Sequence, residues 1–184
     1  MIRDYSEEYL PQMYELLFSH RKITGTLIED LAHKPTLEEF GQRFTSHVKT
    51  LLYFKDDELI SFMSTRRLEE FPSWFISIAT SKARRVFNPK ESGFIELFSG
   101  MLDYWEEQGL TSFFMVQPRT HSFLVNMIVG EHIPKVSNYL IPAFVVETIP
   151  KGERSKNTMI DKMLKHNSFN EEIIVKWVHR KVEL

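Results

Sequence analysis

Lys82, Arg84, Arg85 and Lys90 place four positive charges within nine residues of a chain whose formal net charge is -2. A cluster of that kind suits an anion rich in oxygen, such as a phosphate ester, which needs several cations and donors at once. A solvated rim above a sheet would carry the same charges. On a strand, Lys82 and Arg84 share one face and Arg85 takes the other. The stretch that follows, Asn88 to Phe98, reads "NPKESGFIELF" and has two readings. As an anion cradle, it would offer backbone N–H groups at the start of a helix. As a capped helix start, Asn88 is the N-cap, Pro89 the first helical residue and Glu91 the far half of a capping box. Those side chains would then take the N–H groups an anion needs, and the Glu91 carboxylate would repel it. Gly93 asks for a reason in either case, because glycine inside a helix costs up to about 1 kcal/mol relative to alanine. Close packing on a sheet and close approach of a phosphate are the two reasons to weigh.

Other residues offer chemistry singly. His121 follows a strand end at "QPRTH", where loops often carry functional groups, and titrates near neutral pH as a general base must. An ordinary polar loop histidine is the alternative. The seven histidines include no H-E-x-x-H and no pair at helical i, i+4 spacing, so no metal is expected. There is no cysteine, which excludes disulfides, thiolate zinc sites and cysteine nucleophiles. No Gly-x-Ser-x-Gly is present to suggest a serine hydrolase. Arg66 and Arg67 lie among aromatics in "TRRLEEFPSWF", yet Glu69 and Glu70 follow at once, so a charged loop is preferred to a nucleic-acid surface.

These residues need elements to position them. Apolar spacing predicts a helix over 5–18, and "TLEE" predicts a second, with Thr36 and Glu39 as a capping box and Phe40, Phe44 and Val48 on one face. "TLLYF", the polar "KDDE" and "LISFMSTRRL" read as a hairpin. Residues 74–85 read as a central strand covered on both faces. The clearest helix spans 91–108, with Gly109 as its C-terminal cap. "LTSFFMVQP" is a strand, 122–129 a short helix, and "NYLIPAFVVETI" a strand whose Pro142 suggests an edge or a bulge. A polar connector, "PKGERSKN", leads to a short helix over 159–164 and a last strand, "EEIIVKWVHRKV". There Ile173, Val175 and Trp177 take one face and Lys176 the other. The fold class expected is α/β (α+β), a mixed, mostly antiparallel central sheet flanked by helices. The strand-helix-strand crossover supplies its parallel pair.

This order, with the long helix directly after the central strand, resembles the GNAT family of acyl-CoA-dependent N-acyltransferases over residues 1–149. The family's loop, Q/R-x-x-G-x-G/A at the start of the long helix, aligns with "KESGFI". Lys90 stands at the Gln/Arg position, Gly93 matches the glycine, and Ile95 replaces the final small residue. The resemblance implies acetyl-CoA or another acyl-CoA as donor, held by Lys82, Arg84, Arg85, Lys90 and Gly93. It implies a small-molecule or peptide amine as acceptor, and Tyr139 as the general acid for the leaving thiolate. Core or edge packing is the other account of Tyr139. The alternative function is a non-catalytic GNAT-like binding or assembly module that does not use CoA.

The chain of 184 residues, 42% hydrophobic with 15 Phe, is long enough for one continuous core. A GNAT-like domain over 1–150 is expected, with the helix and strand of 151–184 completing it. The balanced charge gives no overall drive toward nucleic acid or an anionic membrane. With no signal-like segment in "MIRDYSEEYL" and no long apolar run, a cytoplasmic protein is expected. Pairing of the last strand with a second copy would make a homodimer.

Overall fold

A computed structural model describes residues 1–19, 35–44, 48–69, 73–82, 89–109, 112–119, 133, 144–164, 169 and 171–179. Among these, seven strands form one sheet in the order β1-β2-β3-β4-β5-β7-β6. The strands are β1 (Ile2–Asp4), β2 (Val48–Lys55), β3 (Glu58–Leu68), β4 (Ser73–Ser81), β5 (Ser112–Pro118), β6 (Phe144–Ile149) and β7 (Ile173–His179). The pairings are antiparallel except β4 with β5, which is parallel. This is the mixed, mostly antiparallel sheet expected from the sequence. The helices are α1 (Leu10–Ser19), α2 (Leu37–Gly41), α3 (Pro89–Ser92), α4 (Phe94–Glu107) and α5 (Thr158–Met163).

Local chemistry explains the boundaries. The β2–β3 hairpin closes through Asp56 and Asp57, both at positive φ (52° and 60°), as a two-residue turn that matches strand twist requires. Helix α2 starts at the expected capping box: Thr36 Oγ1 accepts from the Glu39 N–H at 3.1 Å, and the Glu39 carboxylate accepts from the Thr36 N–H at 2.7 Å. Asn157 caps α5 by accepting from the Met159 and Ile160 N–H groups. Gly109, at φ +74°, follows the end of α4 and donates to the Glu106 carbonyl at 3.0 Å, in the left-handed cap the sequence announced. The expected helix over 122–129 and Pro142 lie outside the described residues. The strand that follows Pro142, β6, is an edge strand with a register shift between Val145 and Glu147.

Two faces of the sheet are covered by different cores. On one face Leu97, Phe98, Met101, Leu102 and Trp105 of α4 pack on Leu51, Met63, Trp74, Phe113, Met115 and Val178. The opposite face carries two clusters. Helices α1 and α2 bury Met13, Leu16 and Phe40 on Leu52, Phe54 and Phe62, while α5 buries Ile160 and Met163 on Phe75, Phe114, Ile173 and Val175. Lys176 lies opposite Ile173 and Val175, as alternation predicts, but it is only 7% exposed. The period-two pattern gave its face correctly and could not show that this face is also buried.

Candidate functional site

Among the described residues, strands β4 and β5 pair over three residues, Ser73 to Ser112, Trp74 to Phe113 and Phe75 to Phe114. Beyond Phe75, β4 continues to Ser81 along β3, and beyond Phe114, β5 continues to Pro118 along β7. Each strand therefore keeps its outer partner while the two diverge from one another. The result is a wedge in the middle of the sheet, with its apex at Phe75 and Phe114 and a strand edge on either side.

The register assigns the groups that line those edges. The Lys82 N–H donates to the Ile60 carbonyl at 2.7 Å, so in an antiparallel ladder Thr80 and Ile78 also face β3, and Ala79 faces the wedge. At the apex Trp74 lies between Ser112 and Phe114 of β5, so two residues on, Ile76 also faces the β5 side. These two phases meet at a bulge, because Ser64 pairs with Ile78 whereas Thr65 pairs with Ile76. Ser77 is the extra residue, so the bulge lies just past the apex of the wedge. On the other side, the Arg119 N–H donates to the Glu172 carbonyl at 3.0 Å, which directs the backbone of Val116 toward β4. Bulges re-aim backbone groups in this way beside many active sites. A backbone N–H held by the ladder to face the wedge is suited to a carbonyl oxygen that gains negative charge.

The helix after β4 differs from its sequence expectation. It starts at Pro89 and breaks at Gly93 before α4, so 91–108 is not one continuous helix. Gly93 has φ +63°, and a Cβ there would overlap the Tyr53 ring, with Cδ2 of the ring 2.7 Å away and two other ring atoms nearer. Packing on β2 therefore accounts for the glycine. Ser92 is buried; its carbonyl accepts from Ser61 Oγ at 2.5 Å and its Oγ accepts from the Phe94 N–H at 3.2 Å. One donor at the start of α4 is thus taken by Ser92 rather than by Asn88, which lies outside the described residues. Glu91 is exposed, and Ile95 packs half-buried on the α4 core.

Among the other expected residues, Lys82 lies one residue past the end of β4 and pairs with Glu58 on the neighbouring strand. Strand β4 ends at Ser81, short of Arg84 and Arg85, which with His121 and Tyr139 lie outside the described residues. The backbone of Lys90 is in α3, and its side chain is outside the described set. Among the described residues no group of three or more His, Asp or Glu is placed to hold a metal ion, and no helix is long and apolar enough to cross a membrane.

No family model matches the sequence, and no curated protein matches it. Solved structures do match the whole architecture. A ribosomal-protein-alanine N-acetyltransferase from Brucella melitensis is similar at TM-score 0.64 and 10% identity, covering 98% of this chain and 99% of that one. A GCN5-related N-acetyltransferase from Kribbella flavida is similar at TM-score 0.64 and 13% identity, covering 98% and 97%. The fold is GNAT-like. A ribosomal L7/L12 α-N-protein acetyltransferase in complex with coenzyme A is similar at TM-score 0.62 and 10% identity, covering 96% and 91%. At these identities the likeness is one of GNAT fold. The bulge at Ile76 and Ser77 is marked by no residue type, and Arg66, which the sequence places both at the end of the second hairpin strand and in a charged loop, carries no signal of a site. Arg66 is in β3, as the hairpin reading has it, with its guanidinium carbon 5.6 Å from the centroid of the Phe75 ring at the apex of the GNAT-like wedge.

Proposed function

We propose that the chain is an acyl-CoA-dependent N-acyltransferase, acetyltransferase-like, that moves an acyl group to the amine of a small molecule or peptide. The observation that carries this reading is the β4–β5 wedge with the Ile76–Ser77 bulge at its apex. Its edges fit an extended amide-bearing arm, since ladder-phased N–H and C=O groups stand on both sides. Acyl-CoA, when bound, supplies the acyl group as a thioester. The chain's part is to orient that carbonyl against backbone N–H groups of β4 just past the bulge and to exclude water with the apolar cores on both faces. A deprotonated amine forms the C–N bond as the C–S bond breaks. The proton it loses goes to a base, for which His121 is proposed, and the thiolate gains one from an acid, for which Tyr139 is proposed.

Lys82, Arg84, Arg85 and Lys90 are proposed to hold phosphates at the open end of the wedge, beside Gly93. Residues 151–184 are proposed to complete the same domain, since β7 lies between β5 and β6. The neighbours named for ribosomal proteins and their L7/L12 substrate act on protein amines, which supports an amine acceptor here. Two observations favour the second reading, a GNAT-like binding module without CoA: Ser92 takes the Phe94 N–H, and Lys82 already has Glu58.

Calorimetric titration with acetyl-CoA at low and moderate salt separates the two. Saturable binding that weakens with salt is expected, and Lys90→Glu with Arg84→Glu abolishes it without loss of folding. Absence of binding at any salt would leave the binding-module reading.

A further inference from the structure

Four residues stand in one cross-strand row at the apex of the wedge. Arg66 of β3 pairs with Phe75 of β4, Phe75 with Phe114 of β5, and Phe114 with Trp177 of β7. Their side chains lie on the face opposite α4, where Phe75, Phe114 and Trp177 belong to the cluster under α5. The two buried side-chain nitrogens without a hydrogen-bond partner among the described residues are at the two ends of this row, Arg66 Nε and Trp177 Nε1. Trp177 lies stacked with Phe114, the ring planes 6° apart.

Arg66 is the less easily explained of the two. Its guanidinium donates from Nη2 to the carbonyl of Met163 at the end of α5 and lies against Phe75. Neither partner is a carboxylate, and among the described residues none pairs with it. Arg3, Arg119 and Arg154, by contrast, meet Asp57, Glu172 and Asp161. Burial alone acts on Arg66, pushing it below the ordinary arginine range. Tethering a helix end to a carbonyl needs only a neutral donor, whereas a half-buried cation with no counter-charge costs stability that an anion would restore.

We infer that Arg66 binds the carboxylate of the amine acceptor, and that the substrate class is a short amino-carboxylate such as an α-amino acid. The inference rests on the acyltransferase reading. The α4 face of the apex is filled by Trp74, Phe113 and Met115, and Arg66 stands on the other face, the one from which the amine is proposed to reach the Ile76–Ser77 bulge. Arg66 pairs with Phe75, the residue just before the bulge, and its guanidinium lies against the Phe75 ring, so the anion site is placed beside the bulge. A guanidinium offers a carboxylate two parallel N–H donors, with Nε–H as one of them. The selected amine joins the acyl carbon while the C–S bond breaks, as above, and Arg66 takes no proton.

The test is binding, read by calorimetry with the twenty standard L-amino acids, with and without saturating coenzyme A, and a parallel acetyl-CoA titration. At least one amino acid binds saturably, and its matched carboxamide binds at least tenfold more weakly. Arg66→Met reduces the amino-acid affinity at least tenfold, and Arg66→Lys keeps part of it. Equal binding of acid and amide, no binding of any amino acid, or unchanged binding in Arg66→Met would overturn the inference. The acid-to-amide ratio on the unaltered protein decides the matter even if Arg66→Met does not fold. Acetyl-CoA binding without amino-acid binding would sink the Arg66 contact alone. Amino-acid binding without acetyl-CoA binding would sink the acyltransferase reading and leave the contact.

Discussion

Gly93→Ala tests how the start of α4 is built. At φ +63°, an alanine incurs roughly 1–2 kcal/mol for the left-handed conformation. Its Cβ would also overlap the Tyr53 ring, and overpacking of that kind adds about 1–3 kcal/mol. The sum, about 2–5 kcal/mol, is a large part of the 5–15 kcal/mol that holds most domains folded. Gly109→Ala is the control, since it has φ +74° and no atom within 4 Å of the added Cβ, so only the first cost applies. Urea unfolding at fixed pH measures both, and Gly93→Ala should be the more destabilising by about 1–3 kcal/mol. Adding Tyr53→Ala to Gly93→Ala should remove the excess, as a coupled pair requires. If Gly93→Ala and Gly109→Ala cost the same, Tyr53 does not dictate the glycine and the packing argument fails.

Thr36→Ala removes the N-cap of α2 and should cost about 1 kcal/mol in urea unfolding, with Glu39→Ala costing no more when added to it. Lys176 gives a pH signature. Burial lowers its pKa in the folded state, so between that value and the unfolded one the unfolded chain binds more protons and stability rises with pH. The burial penalty is fully present below the folded pKa and is relieved as pH approaches the unfolded value. Unfolding curves collected upward from neutral pH should therefore rise less steeply for Lys176→Met than for the unaltered protein, the comparison cancelling the opposing ionisation of Tyr5, which burial delays.

The sequence carried the architecture further than the site. Capping by Thr36 and Glu39, the Asp56–Asp57 turn and the apolar face from Leu97 to Trp105 are local patterns, and each formed the element it announced. The order of those elements then implied the crossover that makes β4 and β5 parallel. The apex of the wedge depends on where the pairing of β4 and β5 stops, which no local pattern records. The bulge is likewise a mismatch in length between β3 and β4 rather than a residue type. Gly93 was legible as a glycine in need of a reason, while Tyr53, the reason, is forty residues earlier in the chain. Arg66 read as part of a charged loop because Glu69 and Glu70 follow at once; alternation along β3 turns Arg66 inward and Arg67 out.

The most direct measurement of the central claim is an amide NMR titration of the nitrogen-15-labelled protein with acetyl-CoA. Saturable shifts are expected, centred on the N–H groups of Ile76, Ser77, Ala79 and Val116 along the edges of the wedge. Unshifted amides at those four positions at saturating acetyl-CoA would contradict the claim.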